Sequence, residues 1–357
     1  MSVSARRVLQ QWALKLSRSF VGRLFPSPVR KWVAARLFPA DPRKRMEVLV
    51  DVLSSCNLRC PSCPVGNMGA INPASLIDKG LFTRLIEKAT TDYHITQVSL
   101  YNWAEPVLHP ELPELIRIVR GRGVPCHISS NLNLLRNVEE ILRAGPEFFR
   151  ISLSGFTQEV YARAHVRGDI EQVKENMRIL SEAKKKTKNK ATKIEVFYHK
   201  YRHNLHEVEP MRAFAEGLGF AFTEAWAYLM PAEKVMDLAE GKLVGAEREF
   251  VETQFALPIA KAVEASRRFR HEPCRMLDQQ IVLDLRGNLI LCCGVYDYEK
   301  NGVGSFLEMT PEGLERAKRA HPTCSRCVRN GIHTYLEYFT HPQLRPIYDG
   351  LARENLL

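Results

Sequence analysis

The stretch SSCNLRCPSCPVG places Cys56, Cys60 and Cys63 at the end of an apolar run. Three thiols so close together reach one metal centre. A structural zinc site takes a fourth ligand, and none is near, because His94, His109 and Cys126 all lie beyond a further helix or strand. An iron-sulfur cubane has one more iron than this trio can ligate, so one corner stays open to a small molecule. Zinc remains the competing reading of the trio.

A second set follows near the C-terminus. Cys274, Cys292 and Cys293 flank a predicted hairpin turning at Gly287, and CSRC supplies Cys324 and Cys327. Four thiolates, two from the hairpin region and two from a CxxC knuckle, suit a fully protein-ligated zinc or iron-sulfur site. Adjacent residues on a strand point to opposite faces, so Cys292 and Cys293 are not expected to ligate the same centre. Cys293 is read as core packing, an alternative ligand, or a hydrogen donor facing a cavity, and Cys126 as a small core hydrophobe.

The elements that must carry these thiols alternate. MEVLVDVLS, ITQVSLY, PCHIS, FFRISLS, TKIEVFYH and GFAFTEAW read as six strands. Between them lie helical patterns starting near Ile77, Leu112, Val138, Ile170 and Leu205. Strands separated by helices imply a parallel sheet whose chemistry gathers at the strand C-terminal ends. Residues 228–273 look helical, with EFVETQFALPIAKAVEASRRF as the main element, and a turn-rich, cysteine-rich texture begins at Cys274.

Composition narrows the function classes. The chain has 357 residues, nine cysteines and a formal net charge of +11. Arg6, Arg7, Lys15, Arg18, Arg23, Arg30, Lys31 and Arg36 stand before any Asp or Glu, so the opening segment carries most of the excess. The rest is close to neutral, which argues against a nucleic-acid partner. KKKTKNKATK reads as the solvated end of a helix. The apolar residues Leu9, Trp12, Ala13, Leu16, Phe20 and Leu24 recur at helical spacing, making a basic amphipathic segment that either packs on its own domain or meets a partner or an anionic membrane surface through residues 1–38. No stretch approaches the ~18–20 apolar residues of a membrane span, and an odd, clustered cysteine count suits reduced metal-binding thiols and a cytoplasmic setting, with peripheral membrane attachment as the open question.

CxxxCxxC directly after the first strand of a six-strand α/β unit resembles the radical S-adenosylmethionine superfamily. The resemblance implies an α/β fold built as a partial (β/α)6 TIM-like barrel, with a small C-terminal cluster domain similar to the SPASM and twitch types. It implies a 4Fe-4S cluster on Cys56, Cys60 and Cys63, and S-adenosyl-L-methionine as cosubstrate, cleaved reductively to a 5'-deoxyadenosyl radical. NWAEP stands where the family has Gly-Gly-Glu-Pro, which assigns Ala104 and Glu105 to the methionyl side, although glycine is commoner at 104. ISSNLN, SLSG and HVRGD carry over Ser130, Asn131, Ser154 and Arg167 as carboxylate or ribose contacts. An aromatic is frequent where Ser62 stands, so adenine stacking is expected from elsewhere.

The second set resembles the twitch form, with one auxiliary 4Fe-4S cluster on Cys274, Cys292, Cys324 and Cys327. By that likeness the chain divides into a basic helical extension (1–45), a barrel (46–230), a helical linker (231–273), an auxiliary cluster domain (274–330) and a tail (331–357). The implied activity is oxidation of a small polar substrate, such as a sugar, aminocyclitol or nucleoside-like molecule, by a dehydrogenase route through the auxiliary cluster. The substrate becomes a lipid-linked one if the N-terminal segment binds membrane. A flavodoxin or ferredoxin-type protein is the implied electron donor. An epimerase using Cys293 as hydrogen donor, a peptide-modifying enzyme, and a metal-stabilised binding or electron-transfer module are the alternatives. Glu224, Tyr228 and Asp297 are candidate bases near predicted cavity-facing ends, each with a structural reading of equal weight.

Overall fold

The computed structural model describes residues 41, 43–67 and 75–357. The basic amphipathic segment within residues 1–38 lies outside the described residues.

All six expected strands form. They are β1 (Arg45–Val50), β2 (His94–Ser99), β3 (Cys126–Ser130), β4 (Phe148–Leu153), β5 (Lys193–Lys200) and β6 (Ala221–Trp226). Each pairs in parallel with the next. Three further strands, β7 (Gln280–Leu283), β8 (Asn288–Ile290) and β9 (Gly302–Ser305), extend the same sheet. β7 pairs with β1 in parallel, and β8 and β9 follow antiparallel, giving the order β6-β5-β4-β3-β2-β1-β7-β8-β9. The C-terminal cysteine module is therefore built onto the open edge of the barrel sheet.

Helices start where the sequence supplies caps. The Asp78 carboxylate accepts from Leu81 N at 2.7 Å to open Lys79–Asp92, and Asp169 accepts from Glu171 N and Gln172 N to open Ile170–Lys186. The latter helix ends on Lys184, Lys185 and Lys186, which complement its C-terminal dipole. The long helix expected across EFVETQFALPIAKAVEASRRF is two helices, Gly245–Gln254 and Ile259–Arg267, because Pro258 cannot continue the first.

Alternation within the parallel strands places the core and the site on opposite faces. Met46, Val48 and Val50, then Phe149, Ile151 and Leu153, are buried against the covering helices. The intervening residues, including Glu47, His127, Arg150 and Ser152, face a cavity. A second core joins the linker helices to residues 331–357. The expected tail is folded: helices Ile332–Leu336 and Leu344–Glu354 bury Tyr335, Tyr338 and Tyr348. Their hydroxyls find partners inside. Tyr338 donates to Trp226 O at 2.7 Å, Tyr348 meets Ser266 Oγ at 2.6 Å, and Tyr335 accepts from Leu229 N at 2.9 Å. Burying three aromatic bodies with their polar ends paired fixes this segment against β6 and the linker.

Candidate active site

The loop after β1 turns tightly enough to bring its three thiols to one cavity wall. Leu58 N donates to Cys56 Sγ at 3.4 Å, Cys60 Sγ lies 3.8 Å from His165 Nδ1, and the amides of Val65 and Gly66 donate to Cys63. Gly66 makes the turn feasible, since a Cβ there would overlap the Cys60 backbone. Burial pushes the Cys56 thiol up to about 12, with Glu105 and Cys63 adding to the cost, and raises Cys60 and Cys63 as well. Three buried thiols that resist ionisation suit a cationic group that would stabilise their thiolates. Among the described residues, no three His, Cys, Asp or Glu side chains meet at a point where a single ion would sit. A cubane does not need such a point, because it offers each thiolate a different iron. The donor set fits the cluster.

The cavity beside this loop has a volume of about 750 Å³ and is lined by all three thiols together with Ala104, Glu105, Ser130, Asn131 and Ser154. Buried Asp51 shapes its rim: Oδ1 accepts from the amides of Asn102, Trp103 and Ala104 at 2.9, 2.9 and 3.1 Å, and Oδ2 from Tyr298 OH at 2.8 Å. Glu105 ties the next two loops together, accepting from Val107 N at 3.1 Å and Asn131 N at 2.7 Å. Burial outweighs these donors and holds its carboxyl up at about 7. Asn131 then reaches the cysteine loop, its Nδ2 lying 2.9 Å from Asn57 Oδ1 and 3.6 Å from Cys56 Sγ. The Glu105 carboxyl is thus occupied as a strut, while the backbone around Ala104 faces the cavity.

Arg167 is not brought to this cavity. It is exposed in a left-handed turn (φ 73°), and the neighbouring His165 points inward instead. His165 Nε2 lies 3.1 Å from Ser154 Oγ and its ring stacks on Tyr161 at 4.5 Å; burial lowers its pKa to about 3, keeping it neutral. Tyr201 brings an aromatic ring to the cavity beside Ser62, its hydroxyl 2.6 Å from Ser62 Oγ. Deeper in the cavity stand His127, Arg150, His199 and Tyr228. Of the candidate bases, Glu224 is paired with Lys200 and Arg212, and Asp297 caps a helix and pairs with Lys300. Neither lines the cavity; Tyr228 does.

Residues 50–209, from the end of β1 to the start of helix Val208–Gly217, match the family model described as Radical SAM superfamily. Those residues form a radical SAM domain. A domain of that family uses S-adenosylmethionine with an iron-sulfur cluster, which accounts for the thiol trio beside the cavity. The GTP 3',8-cyclase of Chlorobaculum tepidum is 27% identical over 138 residues, 35% of this chain and 38% of that one. The tungsten-containing aldehyde ferredoxin oxidoreductase cofactor-modifying protein of Pyrococcus furiosus is 25% identical over 121 residues, 33% of each chain. These matches thus span little more than a third of the curated relatives. In fold, the chain is similar to Streptococcus suis SuiB bound to S-adenosylmethionine (TM-score 0.55, 13% identity, 88% of this chain and 79% of that one). It is also similar to anSMEcpe with bound AdoMet (TM-score 0.51, 12% identity, 85% and 99%).

The second thiol set gathers in the C-terminal module. Cys274 opens helix Arg275–Gln279, its Sγ accepting from Leu277 N at 3.4 Å, while Cys324 and Cys327 share one face of helix Pro322–Arg329. Burial pushes Cys274 up to about 12 and Cys292 and Cys324 up to about 11, and raises Cys327 well above its ordinary value; charge on the other thiols of the set adds to each. Four buried thiols within electrostatic reach of one another again fit a group that supplies positive charge. Cys293 lines the main cavity, yet not by the strand alternation expected from the sequence: β8 ends at Ile290, and Cys292 and Cys293 lie in the turn that follows it.

Proposed function

We propose that this radical SAM enzyme oxidises a small polar substrate, removing hydrogen from one of its C–H bonds and passing an electron to an auxiliary cluster on Cys274, Cys292, Cys324 and Cys327. The observation that carries this reading is the continuity of the cavity, which runs from the thiol trio to Cys293, one residue from Cys292. Cys56, Cys60 and Cys63 would hold an iron-sulfur cluster, which with S-adenosylmethionine and an electron from a flavodoxin or ferredoxin-type donor would supply the radical chemistry that removes the hydrogen atom. The protein orients the two partners and excludes water.

The backbone around Ala104, with Ser130, Asn131 and Ser154, holds the methionyl and ribose groups, and Tyr201 and His165 flank the adenosyl side. Below them the substrate meets a polar wall from the inward faces of β1 to β5. Among the described residues lining the cavity, Arg150 is the sole Lys or Arg. It lies over the Phe197 ring at 4.5 Å, and its buried Nε has no hydrogen-bond partner, the Glu195 carboxylate standing 3.7 Å away. That nitrogen is placed to bind an oxygen of the substrate. Burial, reinforced by Arg150, lowers His199 to about 4, so its imidazole is neutral and able to accept the hydroxyl or amine proton released when the substrate radical loses its electron.

The position of Cys293 favours a second reading, in which its thiol returns a hydrogen atom to the opposite face of the substrate carbon. One experiment separates the two. Reconstituted protein is incubated anaerobically in deuterium oxide with S-adenosylmethionine, reductant and candidate metabolites, and mass spectrometry follows 5'-deoxyadenosine and product. Substrate-dependent 5'-deoxyadenosine with a product lacking two hydrogens supports oxidation. Deuterium at carbon, lost in Cys293→Ala, supports epimerisation instead. Cluster-loaded protein that produces no 5'-deoxyadenosine with any substrate or reductant refutes both.

A further inference from the structure

Lys318 lies in helix Pro311–Ala320 and has none of its surface exposed. Its neighbours Glu315 and Arg319 point outward and pair with each other, while the Lys318 ammonium is turned inside. There Nζ donates to Gln280 O at 2.8 Å, and among the described residues it has no carboxylate partner. Burying an ammonium without a counter-charge is costly, and proteins retain such a group where an anion is present in the working state. The helix that carries Lys318 packs on Arg275–Gln279, which Cys274 opens, and on Pro322–Arg329, which carries Cys324 and Cys327; the field of this ammonium accordingly falls on Cys292, Cys324 and Cys274, three of the four thiols in the second set.

We propose that Lys318 is the counter-cation of the auxiliary cluster and sets its readiness to accept an electron, acting as a positioning residue through the cluster. This rests on the reading of the four-thiol set as a cluster site. Four thiolates outweigh the positive charge of an iron-sulfur core, so the loaded site is anionic, and each electron taken up adds one further negative charge. A fixed positive charge in a low-dielectric surrounding stabilises the reduced form more than the oxidised form. The uncompensated ammonium of the cluster-free protein thereby becomes a paired one when the site is loaded.

The test uses full-length protein carrying Cys56→Ala, Cys60→Ala and Cys63→Ala, so that any remaining cluster is the auxiliary one. Iron and sulfide content and absorbance are measured first; a parent without a cluster overturns the proposed function itself and this inference with it. In an anaerobic redox titration followed by electron paramagnetic resonance, Lys318→Met is expected to lower the one-electron reduction equilibrium constant at least tenfold, ~59 mV. Lys318→Arg, which keeps the charge, stays within about threefold of the parent, less than half of that shift. A Lys318→Met potential equal to that of the parent overturns the inference while leaving the cluster site standing, as does a Lys318→Arg shift as large as the Lys318→Met shift. If Lys318→Met does not hold its cluster, Lys318→Gln takes its place on the same criteria. A folding readout runs in the opposite direction. The cluster-free Lys318→Met protein is expected to melt at a higher temperature than its cluster-free parent, because an unpaired buried charge has been removed. A lower melting temperature with an unchanged potential identifies Lys318 as merely structural.

Discussion

Glu105 offers a quantitative test of how the cosubstrate-facing loops are held. Its buried carboxyl joins two loops, yet it sits where ionisation is expensive, and burial moves it from 4.5 to about 7. Below pH 4.5 the group is protonated in folded and unfolded chains alike. Between 4.5 and 7 the unfolded chain releases this proton while the folded chain keeps it, so the stability contributed by Glu105 declines as pH rises and levels off above 7. At about 1.4 kcal/mol per pH unit, the decline amounts to about 3 kcal/mol. Glu105→Gln cannot ionise but presents one acceptor oxygen in place of two, leaving Val107 N or Asn131 N unpaired at a cost of about 1–3 kcal/mol. The wild-type protein is therefore the more stable at pH 5, and its advantage is gone or reversed by pH 8. Urea unfolding of cluster-free wild-type and Glu105→Gln protein, under anaerobic reducing conditions at half-unit intervals, measures the difference directly. A difference that stays constant, or grows with pH, refutes the assignment of a buried neutral carboxyl at this position.

Three other perturbations address separate parts of the molecule. Gly66→Ala forces a side chain into the Cys60 backbone, so iron analysis is expected to show loss of the first cluster and retention of the second. Arg150→Met removes a charge-assisted contact of about 1.5–3 kcal/mol; substrate-dependent 5'-deoxyadenosine formation should fall about tenfold or more, with S-adenosylmethionine affinity, measured by equilibrium dialysis, unchanged. Deleting residues 1–38, which hold all eight of the early cations, is expected to abolish cosedimentation with anionic liposomes, and binding that survives the deletion rejects a membrane role for this segment.

Much of this site was legible before any coordinates. The thiol trio follows a strand, and NWAEP follows the next, because a parallel sheet delivers its chemistry at strand C-terminal ends. The strand alternation expected to separate Cys292 from Cys293 does not apply, because β8 ends at Ile290 and both cysteines lie in the turn after it. Arg167 failed for a local reason: a left-handed turn points it to solvent and His165 into the cavity, and no motif records a turn's hand. The polar wall had a signal that went unread. Parallel strands covered by helices are normally apolar on both faces, yet EVLV, CHISS, FFRIS and VFYHK set Glu47, His127, Arg150 and His199 among apolar neighbours. That interruption marks a cavity face.

Joining of the cysteine module to the barrel could not be read locally, because β1 meets β7 across more than two hundred residues. This pairing has a chemical consequence. Asp51, immediately after β1, hydrogen-bonds both the 102–104 loop and Tyr298 of the C-terminal module. One buried carboxyl group thus fixes the cavity-lining backbone around Ala104 relative to the module that carries Cys292 and Cys293. A radical formed at one end of the cavity needs its electron acceptor or hydrogen donor at a set distance from the other. A hinged second domain would let that distance wander, whereas a continuous sheet, with Asp51 bridging its two halves, holds it through each turnover.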